Sequence, residues 1–180
     1  MSFAVSAAAG LNTDRLGEQD IGKVEALLAK LLPLVQQRRD KGDLCTMVFD
    51  DLYTPLTGGE KEFLRSFQDL NAEKIGVKIP YRGAAAGGEK FVTIKGQIVK
   101  DNTKKDKEEY ITLQPQFLTS EVYDSYKAMM AAMQKDIGRR LYVESGYRPA
   151  AYQLYLFIFY LKNHDYSITE TAKFVALPGY

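Results

Sequence analysis

The chain has 180 residues, 46% hydrophobic and 26% charged. That ordinary globular composition excludes wholesale disorder, and one domain of this size, or one with a modest appendage, folds without staples. Its 24 Lys and Arg against 23 Asp and Glu leave a net charge of +1, so no global field draws it to nucleic acid or an anionic membrane.

No stretch reaches the ~18 consecutive apolar residues of a membrane span. A single cysteine, Cys45, and a single histidine, His164, exclude an internal disulfide framework and any multi-thiolate or multi-histidine metal site. The lone thiol fits cytoplasm and envelope alike. Residues 1–10 are small and apolar without a basic leader, and read as a frayed end rather than the remnant of a secretory signal.

In chain order, Ile21, Val24, Leu27, Leu28, Leu31, Leu32 and Val35 follow the helical period and predict a helix over 16–35, which Pro33 should kink or end. Residues 44–52 read as a strand or buried connection. A second helix is expected over 59–70, with Phe63, Leu64, Phe67 and Leu70 on one face. Residues 71–88 are loop-like. The alternation of 91–99 predicts a strand that pairs with 110–113 as a hairpin. Its turn carries Lys104, Lys105 and Lys107 among Asp101, Asp106, Glu108 and Glu109, which favours a solvated tip over a phosphate site.

Thr119 or Ser120 caps a third helix running to 137, with Val122, Tyr126, Met129, Met130 and Met133 as its core face. Gly138 should stop it, and residues 140–144 read as a short strand. No Gly-rich phosphate loop is present.

The chemistry is expected next, at Ser145-Gly146-Tyr147-Arg148-Pro149. Pro149 suits the first position of a helix and biases Arg148 toward extended backbone. A guanidinium beside the free N–H groups of a helix N-terminus is suited to a carboxylate or a developing oxyanion. Gln153 lies little more than a turn into that helix, and because Arg148 is outside the helix the two side chains can converge, which spacing alone does not establish. The competing reading pairs Arg148 with a structural carboxylate such as Glu144. Residues 154–161 are apolar all round and predict a central buried helix. Ser167 to Glu170 fits a capping box opening a short helix to about 175, and the sequence closes on Pro178-Gly179-Tyr180.

A helix, a short strand, Ser145-Gly146-Tyr147-Arg148, Gln153, an apolar helix and Pro178-Gly179 resemble, in order and spacing, the VanY-type zinc D-alanyl-D-alanine carboxypeptidases over residues 119–180. The N-terminal two-thirds resemble no named family. The resemblance implies that Arg148 stabilises the tetrahedral oxyanion and Gln153 orients substrate. It also implies zinc held by two histidines and an aspartate, with a glutamate activating the bound water. Pro149 departs from the small polar residue usual there.

In the family, Pro-Gly leads into Ser-x-His, and here Tyr180 is the last residue. Neither His164 nor Cys45 matches a ligand position. His164 reads better as an exposed or capping residue. Two expectations follow: a truncated or nicked product that carries the substrate-arginine half, inactive alone and binding no zinc, or a non-catalytic relative that binds cell wall or a partner. The first is favoured, because a central apolar helix calls for more structure to cover it.

The expected fold is α+β, helices packed on a small, mainly antiparallel sheet, with residues 1–118 as a helical region with a β-hairpin and 119–180 as the peptidase-like segment. The expected substrate is a peptidoglycan peptide, with zinc as cofactor of the complete enzyme and a second chain carrying the rest of the catalytic domain as a possible partner. The expected location is envelope or periplasm, with cytoplasm as the alternative.

Overall fold

The computed structural model describes residues 10–76, 90–100 and 109–178. In chain order these form α1 (Glu18–Lys41), a 3-10 turn (Leu44–Thr46), α2 (Phe49–Tyr53), α3 (Gly58–Gln68), β1 (Phe91–Ile94), β2 (Ile98–Lys100), β3 (Tyr110–Thr112), β4 (Gln116–Thr119), α4 (Ser120–Ile137), α5 (Ala150–Tyr160), a second 3-10 turn (Leu161–His164) and α6 (Ile168–Thr171). The fold is α+β. It divides into two compact units: one of residues 1–38, 47–84 and 150–180, the other of residues 39–46 and 85–149.

The first unit is helical. In α1 the buried residues Val24, Leu27, Leu31 and Val35 recur every three or four positions, which lays one stripe on the core. The helix runs through Pro33 to Lys41. The proline removes one ladder bond, and the buried residues either side of it, Leu31 and Val35, continue the core stripe across that position.

Residues 44–52 are not a strand. They form the 3-10 turn and most of α2, because the Asp51 carboxylate takes the Val48 N–H at 2.9 Å and so caps a helical turn. Thr57 and Glu60 form a capping box on α3, with the Thr57 N–H donating to Glu60 at 2.8 Å. Leu64 and Phe67 are its core residues.

α5 is the centre of this unit and packs on α2 and α3. Leu154, Phe157 and Ile158 are completely buried, each contributing about 1.5–3 kcal/mol. Ser167 caps α6 by accepting the Glu170 N–H at 3.1 Å. The reciprocal half of the expected box is not made there, since Glu170 pairs with Lys173 at 2.5 Å.

The second unit holds the four strands of the described residues, in two two-stranded antiparallel ribbons, β1 with β4 and β2 with β3. The expected single strand over 91–99 is broken at Gly96, whose φ of +69° turns the chain out of the extended region. Only Ile98–Lys100 pairs with Tyr110–Thr112; Phe91–Ile94 pairs with Gln116–Thr119 instead. The charged hairpin tip (101–108), most of the Gly-Ala loop (77–89), residues 1–9 and Gly179-Tyr180 lie outside the described residues.

α4 packs on β1 and β4 and ends at Gly138 in the left-handed conformation (φ 64°), as its sequence demands. Its anticipated core face is mostly wet. Only Met130 is buried, while Val122 and Met129 stand about half exposed.

Residues 140–144 are not a strand either. Side chains take the place of a ladder: Gln97 donates to the Val143 carbonyl at 2.9 Å and accepts its N–H at 2.8 Å, and the Tyr126 hydroxyl donates to the Leu141 carbonyl at 2.9 Å. Among the described residues no helix is long and apolar enough to cross a membrane.

Candidate active-site segment

Ser145-Gly146-Tyr147-Arg148 is seated on β4 by its backbone. Gly146 N–H donates to the Gln116 side-chain carbonyl at 3.0 Å, and Tyr147 N–H donates to the Phe117 carbonyl at 2.6 Å. The Tyr147 ring stacks on Phe91, centroids 4.3 Å apart and planes within 26°. Phe91 and Phe117 belong to the two strands of one ribbon, so that ribbon fixes both the backbone and the aromatic ring ahead of the arginine.

Arg148 is exposed, and its Nη2 donates to the Ser145 hydroxyl at 2.8 Å. It makes no ion pair among the described residues, so Glu144 does not neutralise it. The Ser145 hydroxyl steadies the guanidinium without cancelling its charge, and a guanidinium's other N–H donors form a planar fork fit for an oxyanion or carboxylate.

Gln153 lies in the first unit, on α5, and is 7% exposed. Its Nε2 donates to the Ala176 carbonyl at 2.8 Å. The glutamine thereby holds the chain ahead of Pro178 against the central helix. Its second N–H and its Oε1 make no further hydrogen bond among the described residues.

The sequence reading missed Gln97 and Gln116, which hold the Ser-Gly-Tyr-Arg segment and its approach. An alternating polar residue in or beside a strand looks like a solvent-facing one. Nothing in its spacing says that its amide replaces a missing strand.

The soft-ligand residues do not gather. His164 stacks on Phe174, centroids 4.9 Å apart and planes within 6°. Partial burial pushes the Cys45 thiol up, away from the thiolate that a metal needs. Among the described residues no three of His, Cys, Asp or Glu are grouped to hold a metal ion.

Residues 115–180 match the family model VanY, D-alanyl-D-alanine carboxypeptidase. The match opens at Pro115, ahead of β4, and so takes in the ribbon strand on which Gly146 and Tyr147 are seated. The family resemblance read from Ser145-Gly146-Tyr147-Arg148, Gln153 and Pro178-Gly179 is borne out over that range: the segment is similar to the D-alanyl-D-alanine carboxypeptidases. Neither the curated proteins nor the solved structures compared contain a match.

Proposed function

We propose that residues 119–180 are the substrate-arginine part of a zinc-dependent D-alanyl-D-alanine carboxypeptidase that trims peptidoglycan peptides in the cell envelope. Residues 1–118 form the N-terminal region that precedes it. The observation that carries the reading is Arg148: exposed, without a carboxylate partner among the described residues, and braced by Ser145 on a segment tied to a β-ribbon.

In this reading Arg148 meets the negative charge that develops on the scissile carbonyl oxygen. Loss of one such preorganised donor typically lowers turnover by about 10²–10³-fold. Gln153 orients the peptide with the amide donor and acceptor that Ala176 leaves free.

Zinc, in the enzymes this segment resembles, would polarise that carbonyl and activate water. It finds no donor set among the described residues, where His164 is stacked on Phe174 and burial pushes the Cys45 thiol up. The part assigned to this chain is therefore recognition. Hydrolysis requires zinc ligands beyond these residues, on another segment or a second chain.

The test is binding of an N-acylated D-Ala-D-Ala peptide, compared with its L-Ala-L-Ala isomer, with metal analysis of the protein as isolated. The D-isomer should be preferred, and Arg148→Ala should weaken its binding by at least about tenfold with unchanged circular dichroism. Binding indifferent to stereochemistry, or unmoved by Arg148→Ala, would overturn the assignment and favour a non-catalytic cell-wall or partner-binding domain.

A further inference from the structure

A cleft of about 650 Å³ opens in the second unit, far larger than a packing defect and inside the usual range for small-ligand sites. Its floor is α4, through Tyr123, Tyr126 and Met130; its walls are the β1–β2 turn and residues 140–142. The walls are held in place before any ligand arrives. Gln97, 9% exposed, clamps Val143 through both amide atoms, and Tyr126 and Met130 hold the backbone of Leu141. A preformed cleft spares a ligand the entropy of ordering it.

The charged side chains of its lining, among the described residues, are all cations. Lys95 stands on one wall and Arg140 on the other, and neither makes an ion pair among the described residues. The third cation, Lys127, is already met by Asp124 at 2.9 Å and lies over the Tyr123 ring. Among the described residues no acidic side chain lines the cleft. Between the cations the surface is apolar and aromatic: Ile98, Leu141 and Tyr142 are 56%, 50% and 51% exposed. Two unmatched cations spaced across greasy, ring-bearing walls suit a chain with two carboxylates separated by aliphatic groups. The Gln97 amide and the Tyr126 hydroxyl are already engaged by Val143 and Leu141, which leaves Tyr123, Gln134 and Tyr142 as the neutral hydrogen-bonding side chains of the described lining, fewer than the many hydroxyls of an acidic sugar call for.

We infer that this cleft binds a short acidic peptide, its two carboxylates on Lys95 and Arg140 and its intervening side chain against Leu141 and Tyr142. The inference goes beyond the carboxypeptidase reading and does not depend on Arg148.

The probe is an N-acetylated, C-amidated tetrapeptide of alternating glutamate and alanine, titrated calorimetrically into the full chain beside its glutamine counterpart. The blocked C-terminus leaves nothing for a carboxylate-end site to recognise. The glutamate peptide should bind and the glutamine peptide should not. Lys95→Gln with Arg140→Gln should weaken binding by about tenfold or more. These are exposed positions, and an unchanged melting curve confirms the fold. Lys162→Ala, in the first unit, should bind as wild type, and so should Arg148→Ala even where it abolishes D-Ala-D-Ala recognition.

Equal binding of the two peptides, or wild-type affinity in the double variant, overturns the proposal. So does tighter binding of a uronic-acid trisaccharide, which makes the cleft a glycan site, or competition by inorganic phosphate at equal affinity, which makes it an indiscriminate anion site.

Discussion

A Cβ on Gly146 would clash with the carbonyl oxygen of Phe117, and that same oxygen accepts the Tyr147 N–H at 2.6 Å. The requirement for glycine comes from close approach of two backbones, not from a left-handed turn. Neither side yields easily, since Phe117 is paired with Thr93 in the ribbon. Gly146→Ala should therefore destabilise the second unit by about 2–4 kcal/mol and release the Tyr147 ring from Phe91. Chemical denaturation reads the first effect and tyrosine near-ultraviolet dichroism the second. A loss below about 0.5 kcal/mol, the range of ordinary surface changes, would show that the contact relaxes at no consequence.

Gln97 stands in for a β-strand at Val143, supplying one donor and one acceptor to one residue. Gln97→Ala should cost about 1–3 kcal/mol, since two backbone groups lose their partners. Hydrogen exchange localises the effect: the Val143 amide should lose protection in step with global stability. Gln97→Glu separates the two bonds. Its carboxylate still accepts from Val143 N–H but faces the Val143 carbonyl without a proton to give. The variant should lie well below wild type at neutral pH and regain ground on acidification, when the protonated acid can donate again. A gap that does not narrow would mean the donor half is unimportant.

The two glutamines also mark where the sequence stops being legible. Helices α1, α3, α4 and α5 were readable because their apolar residues or caps repeat with the helical period, and Gly138 ends α4 where a left-handed residue was required. The strands were not. Ribbons of three or four residues carry too short an alternation to distinguish one long strand from two, and Gly96 divides them. Segment 140–144 has strand chemistry, but its partners are side chains 11, 15 and 46 residues away in sequence. At the site, Ser145-Gly146-Tyr147-Arg148 announced itself by residue type, whereas β4, which seats it, follows Pro115 and has only Phe117 and Leu118 as apolar signal.

Glu60 is an acid-sensitive contact in the first unit. The Lys30 ammonium at 2.7 Å, with the Thr57 N–H and hydroxyl, holds its carboxyl well below the usual 4.5, at about 2. A carboxyl lowered on folding stabilises the folded state at pH above its unfolded value, and that contribution fades as pH falls toward the folded value. Wild type should thus exceed Glu60→Gln in stability at neutral pH. The difference should shrink between about 4.5 and 2 and vanish below. Added salt should reduce it at neutral pH, because the pair is exposed. A difference independent of pH would assign the effect to helix capping alone.

Gln153 must serve two ends if both readings of it hold, and the Ala176 bond separates them. In the fold its Nε2 ties α5 to the segment ahead of Pro178 at 2.8 Å. Gln153→Leu keeps the volume and removes the bond, leaving the Ala176 carbonyl to find water. A structural role predicts a loss of about 1–2 kcal/mol together with faster hydrogen exchange over residues 171–178. A side chain serving substrate alone predicts the opposite sign, since an apolar group at a position 7% exposed is neutral or stabilising. Gln153→Glu then divides the amide itself. It keeps an acceptor but loses the donor to Ala176, so it should match Gln153→Leu in stability while repelling a peptide carboxylate that Gln153→Leu would only fail to hold. Stability at wild-type level in both variants would dismiss the tether and leave Gln153 free for substrate.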